Sequence, residues 1–351
     1  MDVNKIISFF EESFLKDLLI NDKVTDISYN GQDIYYVHND FGRQKSDISI
    51  DKQSAKDFIR QIANLSEKQF SYTNPELDVS FGRYRFNALH QSISRKSNEE
   101  CVCFSIRIAS SSLRFKESNS LSDEVKELLQ VLIDSHVSIV IGGLTGSGKT
   151  ELQKYLISLM RENTRTIVID NILELDQLKF DQALDLNIWQ VDDKRPSASI
   201  ENLVRNALRS NPDWLIVAES RGKEMLDVLN SSLTGHPIIT TLHAFDIHSM
   251  PHRMARMVMM NEQKMAFEDI YSDISYHMRF YIYLKRKYTP NGVVQRYISS
   301  ISYLQGEEME EIYGSDGENK KYGLLCEAAT KLLDLSQVSN EFKATFIGGN
   351  R

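Results

Sequence analysis

Three cysteines in 351 residues are too few, and too odd in number, for a disulfide framework. Cys101 and Cys103 form a C-x-C in an apparent strand, with Cys326 far away. Cysteine alone therefore assembles no zinc ligand set, and sparse thiols suit a reducing cytoplasm. The chain also lacks any run near the ~18 consecutive apolar residues that a membrane-spanning helix requires. Its first residues, MDVNKIISFFEESF, have no basic region, apolar block and small-residue cleavage site, so an amphipathic helix is expected there and not a secretory signal. Basic charge is short as well. Lys plus Arg number 41 against 49 Asp plus Glu, giving a net charge of −8 and a pI near 5.6. That balance argues against broad nucleic-acid binding. The chain has no internal repeat, and low complexity is confined to the acidic cluster Glu307, Glu308, Glu310 and Glu311.

What is present is ordinary for a globular protein: 41% hydrophobic and 26% charged residues. At this length two domains are expected. Residues 3–20 place Ile7, Phe10, Phe14 and Leu18 on one helical face. Strands are expected at Val24–Tyr29 and Ile34–Val37, with turns at Asn30-Gly31 and Phe41-Gly42. A helix around Ser54–Leu65 and strands at Leu77–Val79, Tyr84–Leu89 and Val102–Ile108 complete a small α+β domain, residues 1–112. Residues 113–120 are aperiodic and polar, and read as a linker. A helix capped at Ser120 or Ser122 then carries the stripe Val125, Leu128, Leu129, Leu132 and Ile133.

The segment VSIVIGGLTGSGKTEL, residues 137–152, organises the rest of the chain. A short apolar run breaks into Gly143–Thr150, and a helix begins. This is G-x-x-x-x-G-K-[ST] in the strand-loop-helix context the motif needs. Its glycines let successive backbone N–H groups turn inward on phosphate oxygens, and the helix start aims its positive dipole end at the same point. Gly143, Thr145, Gly146, Ser147, Gly148, Lys149, Thr150 and Glu151 are therefore expected to hold nucleotide. Lys149 is placed on the β- and γ-phosphates and Thr150 on Mg²⁺. Further apolar strands (166–169, 214–218, 238–242) alternate with amphipathic helices such as Ile200–Leu208. They specify a mostly parallel sheet covered on both faces, with chemistry at its carboxyl ends. Those ends carry Asp170, Glu174, Glu219, Arg221 and His243. Phosphoryl hydrolysis needs an acid for Mg²⁺, a group to orient water and a sensor of the γ-phosphate.

Several stretches resemble the type II/IV secretion ATPases, the traffic motors of conjugation, secretion and type IV pilus systems. RSNPDWLIVAESRG (209–222) is similar to their Walker B segment, with glutamate at Glu219. Thr234-Gly235-His236 with TTLHA (240–244) resembles their His box, Ile169–Leu175 their acidic box, and VTDISYNG (24–31) their N-terminal domain. The resemblance spans roughly residues 15–300 and implies a RecA-like P-loop ATPase domain over 121–305 behind the N-terminal domain, in an α/β fold. Residues 306–351 form a tail of unknown role. It implies ATP and Mg²⁺ as ligands, with Glu174 activating water, Glu219 supporting Mg²⁺ (partly through water), His243 sensing the γ-phosphate, and Arg107 and Arg85 reaching nucleotide. It also implies a homo-hexamer at the cytoplasmic face of the membrane, docked on an inner-membrane platform or other machine components and not inserted in lipid. The absent C-x-x-C pair favours the conjugation-type or tight-adherence-type branch.

Two departures stand out. Asp170-Asn171 replaces the family's Glu-Asp, which shortens one acid and neutralises the other. Glu151 follows Thr150 where the family more often has Thr, placing a carboxylate near phosphate. The altered acidic box leaves an alternative open: an assembling ATP-binding switch or scaffold with negligible turnover. A nucleic-acid translocase fits less well, because no basic-aromatic surface is visible. The methionines at 250, 254, 257, 259 and 260 are read as core packing, with subunit contact as the alternative.

Overall fold

A computed structural model describes residues 2–348 apart from 111–112, 118–120, 171–174, 176–179, 193–194 and 263–264. The chain divides into two compact units, Met1–Ser112 with Tyr288–Val294, and Leu113–Lys287 with Gln295–Arg351.

The first unit is built on a six-stranded sheet whose spatial order is Gly42–Lys45, Ile34–His38, Val24–Tyr29, Cys103–Ile108, Tyr84–Leu89, Glu76–Phe81. All neighbours are antiparallel. Alternation puts Ile27, Tyr29, Phe86, Phe104 and Ile106 on the buried face. The helix Lys52–Leu65 covers that face with Ala55, Phe58, Ile59, Ile62 and Ala63. Its N-cap is Asp51, whose carboxylate accepts from Ser54 N–H at 2.9 Å. The N-terminal segment departs from the single helix expected over 3–20, forming Val3–Glu11 and Lys16–Ile20. Ser13 Oγ donates to the Phe10 carbonyl at 2.6 Å, a local bond that competes with continuing the helix. The break turns Ile6, Phe10, Leu15 and Leu19 inward, and Ile7, Phe14 and Leu18 pack only at the edge of the core.

The second unit holds a nine-stranded sheet in the order Asp185–Gln190, Arg165–Asp170, Trp214–Val217, Ile238–Leu242, Ile139–Gly143, Phe280–Tyr288, Val294–Gln305, Glu308–Ser315, Lys320–Tyr322. The first six are parallel neighbours, and the last three close the sheet as an antiparallel meander. The architecture is thus α/β, with a mostly parallel sheet in the second unit and a smaller antiparallel sheet in the first. Successive residues of each central strand feed opposite cores. Ile139, Ile141, Val168, Ile216 and Ile239 pack under the helices Asp123–Asp134 and Lys149–Ile157. Val140, Ile167, Ile169, Leu215, Val217 and Ile238 pack under Ile200–Ala207, Met225–Leu233, Ser249–Val258 and Phe267–His277. Burial on both faces is why these strands read as unbroken apolar runs.

Several stretches differ from their sequence reading. Residues 113–120 contain a helical turn, Arg114–Glu117, whose Phe115 is buried in the second unit's core. Residues 306–351 supply two strands of the meander, and Phe342 and Phe346 are fully buried. Phe342 and Phe346 have helical spacing, but the helical segments there are only 3 and 5 residues long, so burial depends on tertiary contacts. Met250, Met254 and Met257 are buried, whereas Met259 and Met260 are exposed.

Phe86 is fully buried, with the rings of Phe10, Phe58 and Phe104 at 6.2, 6.0 and 5.6 Å. Phe86→Ala is expected to destabilise the first unit by about 3–5 kcal/mol in urea unfolding. A change under about 1 kcal/mol would contradict this packing.

Candidate active site

Parallel register aligns the carboxyl ends of the central strands. Leu242 pairs with Gly142, and Val217 with Thr240, so Gly143, His243 and the residues after Val217 leave the sheet along one edge. The ladder continues past the strand ends. Ala218 N–H donates to Ile169 O at 2.9 Å and Ser220 N–H to Thr241 O at 2.8 Å. Thr241 Oγ1 donates to Ala218 O at 2.7 Å, and the hydroxyls of Ser220 and Thr240 lie 2.9 Å apart. These bonds bracket Glu219 on both sides and fix where its carboxylate emerges. Thr240, Thr241 and Ser220 thus act as braces of the site, a role that their place in a motif does not reveal.

The phosphate loop follows from its glycines. Gly143 has φ 151°, and a Cβ there would lie 2.7 Å from the Leu284 carbonyl oxygen and 2.4 Å from Ser147 Oγ. Gly148 has φ 100° as the residue that starts the helix. It is this left-handed backbone, with no crowding closer than 3.6 Å, that favours glycine at 148. Ser147 is 1% exposed and its hydroxyl has no hydrogen-bond partner among the described residues. A buried hydroxyl left so costs about 1–3 kcal/mol, which a phosphate oxygen would offset.

Lys149 is 8% exposed. Its Nζ donates to the carbonyls of Gly143 at 3.0 Å and Leu144 at 3.4 Å, and lies 3.3 Å from His243 Nδ1. An ammonium can only donate, so the contact assigns Nδ1 as acceptor and places the ring proton of a neutral imidazole on Nε2. That Nε2 is 3.0 Å from Glu219 Oε1, an ion-pair distance without hydrogen-bond alignment, so Oε1 remains buried and unpartnered among the described residues. Glu219 Oε2 accepts from Arg221 Nη2 at 2.6 Å. Burial pushes the His243 pKa down and Lys149 pushes it further, outweighing the pull of Glu219. Burial raises the Glu219 pKa, but Arg221, His243 and Lys149 together hold it below the ordinary value. A neutral histidine therefore sits between a cation and an anion.

Other expected residues have different settings. Glu151 turns to the fully buried Lys154, Oε1 to Nζ 2.9 Å, so its charge is compensated within the helix. Asp170 is buried at its strand end. Glu174 and Asn171 lie outside the described residues. Thr145 lies on the loop, and Thr150 is half-buried on the helix's first turn. Arg85 and Arg107 are cross-strand neighbours in the first unit's sheet, and Arg85 is ion-paired to Asp78 at 3.0 Å. Arg296, which sequence reasoning passed over, donates from Nε to the Gly146 carbonyl at 2.9 Å. Its only sequence signal is its place four residues after the Gly292 turn.

The residues present fit a nucleotide and its metal: a loop with left-handed glycines at a helix start, an orphaned Ser147 hydroxyl, an orphaned Glu219 oxygen and a buried lysine. Among the described residues, no group of three or more His, Cys, Asp or Glu forms a metal site by itself.

A sequence model of the type II/IV secretion system protein family matches residues 90–278. An uncharacterised Bacillus anthracis protein is 28% identical over 318 residues, covering 87% of this chain and 70% of that protein. The type IV secretion system protein VirB11 of Brucella suis is 34% identical over 128 residues, 36% of each chain. The X-ray structure of the Legionella pneumophila ATPase DotB superposes with a TM-score of 0.64 at 20% identity, covering 85% of this chain and 81% of that one. At that identity the likeness is one of fold.

In an NMR titration of the folded chain, His243 is expected to titrate below 6.5, its ordinary value. Lys149→Ala should move the midpoint up and Glu219→Gln should move it down. Because the folded pKa is lowered, the His243 contribution to stability is complete above 6.5 and is lost as pH falls through the folded value. The Glu219 contribution behaves the same way about its own ordinary value of 4.5. A His243 midpoint at or above 6.5 would contradict this arrangement.

Proposed function

The chain belongs to the type II/IV secretion system protein family, and from that premise we propose that it is an ATP-hydrolysing motor. It assembles as a homo-hexamer and powers a type IV-like secretion, conjugation or pilus-related membrane machine. The observation that carries the reading is the convergence of Lys149, His243 and Glu219 on the phosphate loop, beside the unpartnered Ser147 hydroxyl. The motor works from the cytoplasmic face through protein partners such as an inner-membrane platform. Among the described residues no helix is long and apolar enough to cross a membrane.

Hydrolysis attaches a water oxygen to the γ-phosphorus and breaks its bond to the bridging oxygen, leaving ADP and phosphate. Mg²⁺, when bound, neutralises charge on the β- and γ-phosphates. Thr150 and Glu219 are the residues that would hold it, Glu219 partly through water. Lys149 exchanges the carbonyls of Gly143 and Leu144 for phosphate oxygens, a stronger charge-assisted contact. Glu174 takes the proton of the attacking water. His243, neutral and touching Lys149, reads the γ-phosphate through the lysine's displacement and passes that change to Glu219. Arg221 keeps Glu219 ionised, so the acid stays available to metal-bound water. Arg85 and Arg107 are assigned to nucleotide contact as well.

The test is steady-state ATP turnover across a protein concentration series, with Lys149→Ala and Glu174→Gln in parallel. Turnover per subunit should rise with concentration, and each variant should lose about 10²-fold or more. Tight ATP binding with turnover no higher than in the variants at every concentration would overturn the motor. It would support the switch that the Asp170-Asn171 box leaves open.

A further inference from the structure

The strand Phe280–Tyr288 runs parallel beside the phosphate-loop strand, with Leu284 opposite Gly143. Arg286, two residues on, leaves the same face of the strand as Leu284. Its guanidinium reaches the loop: a Cβ built on Gly146 would lie 2.8 Å from Arg286 Nη1. The return strand Val294–Gln305 brings Arg296 to the same glycine, where Nε donates to the Gly146 carbonyl at 2.9 Å. The Arg296 stem passes the helix start, its Cδ 3.6 Å from the Cβ position of Gly148, with Phe115 Cε2 at the same distance.

The charges need a reason. Lys149 and the helix start already concentrate positive potential at this loop, and two guanidiniums add to it. Like charges so placed repel unless an anion lies among them. Along the same strand Lys287 has a protein acid, Glu318, at 2.9 Å. Arg286 has no hydrogen-bond or ion-pair partner among the described residues, although it is exposed enough to seek one. Its flat fork suits phosphate oxygens. Arg296 is different, because its Nε is committed to a loop carbonyl. That bond fixes the Gly146–Ser147 peptide, whose N–H donates to the Leu144 carbonyl at 3.2 Å, and so holds the loop's backbone in place.

We propose that Arg286 is a phosphate-contacting residue of the nucleotide site, supplied by the same chain as the loop, and that Arg296 is the positioning residue that fixes the loop beneath it. The inference deepens the nucleotide-site reading and rests on it. It makes affinity for the phosphates depend on a hairpin that lies more than 100 residues beyond the loop in sequence.

The experiment is equilibrium binding of Mg-ADP and Mg-ATP to the full chain, wild type beside Arg286→Gln, Arg296→Ala, Arg296→Lys and Lys149→Ala. Each is measured at low and high salt, with thermal unfolding of the ligand-free protein as a control. Arg286→Gln should weaken both nucleotides by about tenfold or more with unchanged unfolding, and the deficit should shrink at high salt. Arg296→Ala should weaken both, and Arg296→Lys should not restore them, because lysine keeps the charge but has no N–H at the Nε position. Binding by Arg286→Gln within twofold of wild type would overturn the phosphate contact. Wild-type affinity in both Arg296 variants would overturn the positioning role. Saturable wild-type binding that is lost in Lys149→Ala keeps the nucleotide-site reading whatever the arginines do. Absence of saturable wild-type binding would overturn that reading and this inference with it.

Discussion

The structure depends on the parallel register of four central strands. Because Ile139–Gly143, Ile238–Leu242, Trp214–Val217 and Arg165–Asp170 pair side by side in the same direction, their carboxyl ends form one row. Lys149, His243 and Glu219, which follow that row, meet in one small region. The sheet is mostly apolar on both faces, so its charged groups lie at its ends and must find partners there or in a ligand. Gly143, Lys149, Glu219 and His243 are brought together by this constraint, although Lys149 and His243 are 94 residues apart in the chain.

Within that region Lys149 and Arg221 flank Glu219 and His243, and hydrogen bonding is left incomplete. Lys149, Arg221 and Glu219 surround a histidine that burial and the nearby lysine keep neutral. Lys149 rests on two carbonyls, which are weaker partners than phosphate. Ser147 Oγ and Glu219 Oε1 are buried without partners among the described residues. Buried polar groups in folded proteins are nearly all satisfied, so two orphans beside one loop point to a ligand. Glu151 Oε2, one residue from Thr150, is likewise buried without a hydrogen-bond partner among the described residues, but Oε1 is held by the fully buried Lys154 of its own helix. The carboxylate that the sequence places near phosphate is thereby compensated.

Much of this was legible in the residues because local rules and tertiary demand agree. The runs at 139–141, 167–169, 214–217 and 238–239 are apolar since both faces are buried, and the phosphate loop carries its own glycine signature. Other elements were hidden for identifiable reasons. Asp185–Gln190 is an edge strand, half-buried, with neither an apolar run nor clean alternation. The helix break at Ser13 rests on one side-chain bond that hydrophobic periodicity does not register. Phe342 and Phe346 are core residues in helical segments of 3 and 5 residues, too short to show a clear stripe. Arg296 could not be assigned from sequence, because its contact to Gly146 exists only once the hairpin lies beside the loop.

A crystal structure of the chain with Mg-ADP would test the nucleotide site most directly. Nucleotide phosphate is expected to occupy the loop, Ser147 Oγ to gain a partner, and Lys149 Nζ to leave the Gly143 carbonyl, now 3.0 Å away. Nucleotide bound elsewhere, or a loop that holds phosphate while Lys149 stays on its carbonyls and Ser147 remains unpartnered, would contradict that site.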